Sequence, residues 1–237
     1  MLRTMAEPHT APQPTPPARG DLWLPWLAAV PLAAKALQPI ADSDVPMHAA
    51  VGRWMVEHRA LLPTPDPLVW TDRGGDHPHE WLAQIAVGWV ADTGGLGALR
   101  WLLLAAALGC AGVLVRAVRQ TGAGHAVAAV ALVGWTTVVG PHLSMRPHVF
   151  GWLLALWVVG IGLGEARPWS RWRTFGWFAA TALWSNLHSS AVAAPMYATV
   201  ALADAWFARA PTERGWWRHP LLRLLAVGGC ALCQPMG

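Results

Sequence analysis

The run Asp42-Ser43-Asp44-Val45-Pro46-Met47-His48 carries two acids and a histidine at the edge of an apolar segment, in a chain poor in charge. A carboxylate can take a proton from a hydroxyl, and an imidazole beside it can orient a reactant or trade protons near neutral pH. If Asp44 starts a helix, His48 falls four residues on along the same face, and Gly52 follows at the same interval and leaves room beside them. Asp44 can equally serve as a helix N-cap, with Pro46 tolerated in the first turn. That simpler role explains neither Asp42 nor His48. Further polar groups stand in short connections: His79-Glu80, Arg146-Pro147-His148 and Trp184-Ser185-Asn186-Leu187-His188.

The elements that must position these groups are apolar. Of 237 residues, 54% are hydrophobic and 13% charged, against a usual charged share of about 25%. Several runs approach the ~20 residues that cross a bilayer. The expected fold class is all-α, a polytopic transmembrane helical bundle of about seven spans, with a long first extracytoplasmic loop containing short amphipathic helices. A net charge of +4 does not point to nucleic acid, because the arginines lie in short loops between apolar runs. Cys110, Cys230 and Cys233 lie in apolar runs without flanking polar ligands, and read as small buried residues.

Residues 1–21 form a Pro-, Thr- and Ala-rich cytoplasmic tail, expected to be disordered. Residues 22–237 form the membrane domain. Its expected spans are 22–40, 96–115, 125–140, 148–164, 174–185, 190–207 and 220–233. Lys35 in the first span snorkels to an interface or pairs with an acid. In the loop 41–95, residues 47–60 have the spacing of a helix that could lie along a membrane surface. Pro63, Pro65 and Pro67 stiffen the piece that follows, and residues 80–92 make a helix too short to span, ended by Gly94-Gly95.

Arginine placement orients this arrangement. With the N-terminus cytoplasmic, the inner pieces carry Arg3, Arg19, Arg116, Arg119, Arg167, Arg171, Arg173, Arg209, Arg214 and Arg218, and the outer pieces carry Arg53, Arg59, Arg73 and Arg146. That bias agrees with the positive-inside pattern. The outer pieces also hold eight of the thirteen acids and most of the histidines, which implies one polar cavity on that side.

The ordered set Asp42-x-Asp44-x-x-x-His48-x-x-x-Gly52, Leu62-Pro63-x-x-Asp66-Pro67 and His79-Glu80-Trp81-Leu82 resembles the first external loop of bacterial polytopic proteins of the glycosyltransferase C superfamily. Arg146-Pro147-His148 and Trp184-Ser185-Asn186-Leu187-His188 resemble that group's later RPH and WxNLH stretches. Gln234-Pro235-Met236-Gly237 is similar to its NPYG turn, with Gln in place of Asn. Together these pieces cover about residues 22–237. The resemblance implies a multi-pass protein of the bacterial inner membrane that transfers sugar from a polyprenyl-phosphate-linked donor at the extracytoplasmic face. An acid of the first external loop, Asp44 or Asp42 here, would be the catalytic base or a metal ligand. Members usually have more than seven spans, so the chain reads as an N-terminal portion of a longer protein.

The residues suit that chemistry on their own terms. Arg146 can hold a leaving phosphate by paired hydrogen bonds, though it can equally snorkel to headgroups. His48, His79 or His188 can orient an acceptor, pair with an acid or bind a divalent metal, and Glu80 and His148 belong to the same substrate-binding set; a structural hydrogen bond is the simpler role for each histidine. Asn186 can donate to and accept from sugar hydroxyls. The residues single out no cofactor, and a divalent metal ion is the one this set could accept. The expected partners are membrane lipid and the polyprenyl-phosphate-sugar donor, with no nucleic acid. Rival readings are a membrane transporter or scaffold component without enzymatic activity, and a polymerase or ligase of lipid-linked glycans. The spans are largely apolar and show no clear internal repeat, which disfavours the transporter.

Overall fold

The computed structural model describes residues 19–61, 80–158, 171–208 and 229. Among them it has eight α-helices: α1 (Leu24–Ala36), α2 (Asp44–His58), α3 (Trp81–Gly94), α4 (Leu99–Gln120), α5 (His125–Val139), α6 (His148–Trp157), α7 (Arg171–Leu187) and α8 (Ala193–Ala208). Short 3-10 turns precede α1, α4 and α8 and follow α5. The all-helical expectation holds, and the helices lie close to where the apolar runs placed them.

The expectation of about seven spans does not hold. Among the described residues only one helical stretch, Leu96–Gln120, is long and apolar enough to cross a membrane. Its 25 residues reach about 37 Å, enough for a ~30 Å hydrocarbon core. Within the described residues, turns cut into several of the apolar runs. The run 22–40 opens in a 3-10 turn, and α1 stops at Ala36. Gly140-Pro141 ends α5, and a 3-10 turn over Ser189–Val192 delays the start of α8. At ~1.5 Å per residue, helices of this length fall short of a bilayer. The stretch 220–233 lies outside the described residues.

α4 is the hub. Its buried positions Leu99, Leu103, Ala106, Ala107, Cys110 and Ala111 recur at three- and four-residue intervals, so one face carries mostly small side chains. α1, α5 and α6 pack against it. Small residues at such a face let helix backbones approach closely. The same core takes in Val45 and Ala49 of α2 and Val87 and Ala91 of α3. These two helices are therefore part of the packed body.

α2 and α3 pair most closely of all. A Cβ placed on Gly52 would lie 1.8 Å from the Gln84 carbonyl oxygen, and one on Gly88 would lie 2.8 Å from the Arg53 nitrogen. The room left by Gly52 is thus occupied by the backbone of α3. The connections 37–43, 140–147 and 188–192 and the start of α3 meet through the Asp42–Arg146 and Glu80–His188 pairs and the His148–His188 ring contact. This convergence brings the polar motifs together.

Candidate functional site

Each motif reaches the site through alternation of buried and half-open positions. In the α5–α6 connection, Leu143, Met145, Pro147 and Val149 are buried, and Ser144, Arg146 and His148 between them are partly exposed. The backbone leaves the 3-10 turn at Leu143 and closes tight turns from Ser144 to Arg146 and from Arg146 into α6. The apolar ones anchor in the core, and the polar ones are left at the bundle end. At the end of α7, Trp184, Ser185 and Leu187 are buried while Asn186 and His188 are half-buried. The Trp184 indole N–H donates to Ser190 Oγ at 3.0 Å, which holds this turn against the following one.

Arg146 lies between both acids of the first motif. Its Nε donates to Asp42 Oδ2 at 2.5 Å and its Nη2 to Asp42 Oδ1 at 2.8 Å, a two-pronged pair across 104 residues of sequence. Its Nη1 stands 2.9 Å from Asp44 Oδ2. Asp42 Oδ1 also accepts the Asp44 backbone N–H at 3.1 Å, so Asp42 satisfies a donor at the first turn of α2. Ser43, not Asp44, occupies the N-cap position of α2. The Arg146 hydrogen bonds, with those from the Asp44 backbone and the Ser144 side chain, outweigh burial and hold the Asp42 carboxyl at about 2. The same pairing raises Arg146 further above its ordinary value.

His48 projects from α2 toward α3, where Gln84 Nε2 stands 3.3 Å from its Nδ1. Both side chains are buried. Burial lowers the His48 pKa against the opposing pull of the Asp44 carboxylate. His148 donates from Nε2 to the His142 carbonyl at 3.1 Å, since a carbonyl only accepts. Burial also lowers the His148 pKa. Its ring lies 6.2 Å, centroid to centroid, from that of His188.

The second cluster joins the start of α3 to the end of α7. His188 Nε2 and Glu80 Oε1 are 3.1 Å apart. The Ser190 backbone N–H donates to His188 Nδ1 at 3.0 Å, so Nδ1 is an acceptor and the proton facing Glu80 sits on Nε2. One residue along, the Trp81 indole N–H donates to Asn186 Oδ1 at 2.8 Å, and Asn186 Nδ2 donates to the Ala182 carbonyl.

The structure thus places Asp42, Asp44 and Arg146 in one contact group and Glu80, Asn186, His148 and His188 in a neighbouring one, with His48 beneath Asp44 at the α2–α3 seam. His79 lies outside the described residues. Among the described residues, no group of three or more His, Cys, Asp or Glu side chains is arranged to hold a metal ion. Gln84 and Ser144 were missed by sequence reasoning. Gln84 is an amide four residues after Glu80 in an apolar helix, and Ser144 is two before Arg146; each spacing was a usable signal. No family model, curated protein or solved structure matches this chain.

A pH dependence of stability follows from the buried imidazoles. Unfolded histidine binds a proton near pH 6.5, whereas folded His48 and His148 resist it, so the unfolded state holds more protons as the solution turns acid. The unfolding midpoint should fall as pH is lowered from 7.5 to 5. A further loss should begin below the ordinary Asp value of 3.8 and run toward 2, where folded Asp42 also protonates. Thermal unfolding followed by circular dichroism in detergent checks this; a flat profile between pH 7.5 and 5 contradicts it.

Proposed function

We propose that this chain is part of a membrane glycosyltransferase that moves a sugar from a polyprenyl-phosphate-linked donor to a hydroxyl acceptor at the extracytoplasmic face. The observation that carries this reading is Arg146 held between Asp42 and Asp44 at one end of the bundle. Arg146 and Asp44 have side chains 43% and 42% exposed, so an anion-binding group and a carboxylate stand side by side and open to a ligand. A leaving phosphate needs the first, and an attacking hydroxyl the second. The ordered resemblance to the glycosyltransferase C superfamily supplies the donor class. His148 follows Arg146 by two residues and its ring lies 6.2 Å from that of His188, so these imidazoles are the candidates to orient an acceptor.

In this reading α4 crosses the bilayer, with Arg116 and Arg119 at its cytosolic end and the polar cluster on the other side. The arginines at the starts of α1 and α7, Arg19, Arg171 and Arg173, fall at the cytosolic end as well. Single cysteines at 93 and 121, in a chain whose own cysteines are replaced, test the orientation. An impermeant thiol reagent added outside should label position 93 and reach 121 only after permeabilisation. Labelling of 121 alone would reverse the assignment.

The reaction is tested with the full chain in proteoliposomes, a radiolabelled polyprenyl-phosphate sugar and a panel of hydroxyl acceptors. Label should move from the lipid to an acceptor, and a nucleotide sugar should not replace the lipid donor. A second reading is favoured by one observation: the charged groups largely satisfy one another, Arg146 with two acids and His188 with Glu80. Such a set could be a clasp in a membrane scaffold. The scaffold reading gains if no donor is consumed and if Asp44→Asn changes stability alone.

A further inference from the structure

We propose that the two acids divide the work: Asp42 is a positioning residue that fixes Arg146, and Asp44 is the carboxylate that faces the reacting group. The naming of that group as an acceptor hydroxyl rests on the glycosyl-transfer reading; the division itself rests on hydrogen bonding.

A carboxylate has two oxygens and about four lone-pair sites. Asp42 gives three of them to the Arg146 Nε, the Arg146 Nη2 and the Asp44 backbone N–H, and the Ser144 side chain lies beside it. Its side chain is 14% exposed. A general base needs a lone pair that the incoming proton can reach, and Asp42 has most of its lone pairs engaged. Its carboxyl is also held at about 2, which makes it a weak base. Asp44 meets Arg146 through a single oxygen, Oδ2, and its side chain is three times as open, at 42%.

The geometry gives Asp42 another task. Its two oxygens engage Nε and Nη2 of the same guanidinium, which sets the plane of that group. The Nη1 arm is thereby aimed at Asp44 Oδ2. Three of the five guanidinium N–H groups are spent on the two acids, and two remain on a side chain that is 43% exposed. Donors and a carboxylate held side by side at fixed spacing match a ligand with an anionic oxygen close to a hydroxyl.

The test labels carboxylates in the full chain in detergent with a water-soluble carbodiimide and an amine, read residue by residue by mass spectrometry. Asp44 should label at least about tenfold faster than Asp42, and Arg146→Met should remove that protection. Equal labelling of the two acids in the unsubstituted chain would overturn the division. This arm needs no turnover, so it decides the matter even if no sugar is transferred and the functional reading fails. Where transfer is seen, Asp42→Asn should raise the KM for the phosphate-linked donor by about tenfold, ahead of any fall in kcat, because the loosened guanidinium binds the phosphate less well. A merely structural loss would reduce active enzyme and leave KM in place. Ser144→Ala, which keeps the Arg146 pair intact, should shift KM the same way by a smaller factor. A kcat collapse at unchanged KM in Asp42→Asn would make Asp42 the reacting acid and sink the proposal.

Discussion

Asp44→Asn should abolish transfer while the protein still inserts and folds. Positioned general bases contribute about 10²–10⁴-fold, so the variant should fall to or near background. The amide keeps an oxygen that can accept from Arg146 Nη1, so the ion pair becomes a neutral hydrogen bond and little packing is lost. Asp44 makes no hydrogen bond through its side chain to the core, and its partial exposure lets water solvate the amide. The measurement is initial rate in proteoliposomes, with insertion and the unfolding midpoint as controls. A variant that retains the full rate removes Asp44 from the chemistry. A variant that loses rate and fold together argues for the clasp.

The second large effect is structural. Gly52→Ala should cost about 3 kcal/mol or more, because overpacking between backbones has no flexible side chain to yield. The new methyl would lie 1.8 Å from the Gln84 oxygen, 2.3 Å from its carbon and 2.9 Å from the Ile85 nitrogen. All three are main-chain atoms of α3, so the helices must separate. Separation pulls Gln84 from His48, loosens Val45 and Ala49 against their core, and moves the start of α3, which carries Glu80 and Trp81. The unfolding midpoint in detergent should drop well below that of the unsubstituted chain. Gly134→Ala is the control: a Cβ there meets nothing within 4 Å, and a helix-interior exchange of Gly for Ala should stabilise by about 0.5–1 kcal/mol. Equal behaviour of the two variants would show that α2 and α3 are not so tightly joined.

The buried Gln84 explains part of why α2 and α3 are sensitive. Its Oε1 has no hydrogen-bond partner while its Nε2 faces His48. An unpaired buried acceptor costs free energy, and here it sits at the seam that the two glycines close. The pair ties the imidazole nearest Asp44 to the same helix that delivers Glu80 and Trp81 to α7. Displacing α3 therefore acts on both polar clusters at once.

Much of the local structure was legible in the residues. Helical spacing over 47–60 lies within a few residues of α2, and Gly94-Gly95 marked a real end. These features depend on neighbours three or four residues apart, and so does the all-helical class. The number of membrane spans was misread from the same source. Counting apolar residues cannot see a 3-10 turn at 19–23 or 189–192, and a few lost residues take a helix below bilayer length. One stretch, Leu96–Gln120, keeps that length.

What each polar side chain does was decided by the tertiary structure. Arg146 read alone as an anion holder; the fold gives three of its donors to Asp42 and Asp44, and only the remainder can meet a ligand. His188 read as one of several interchangeable imidazoles; the Ser190 N–H assigns its tautomer, and Glu80 takes the proton side. The Asp42–Arg146 and Glu80–His188 partners come from separate connections between helices, and Asp42 and Arg146 stand 104 positions apart in sequence. The chain alone therefore determined the helices and the stock of ionisable groups, because short-range periodicity encodes both. Which group neutralises which depends on how the ends of α1, α5 and α7 meet the start of α3, and that is set by small-residue packing around α4 and between Gly52 and Gly88, which acts at a distance along the chain.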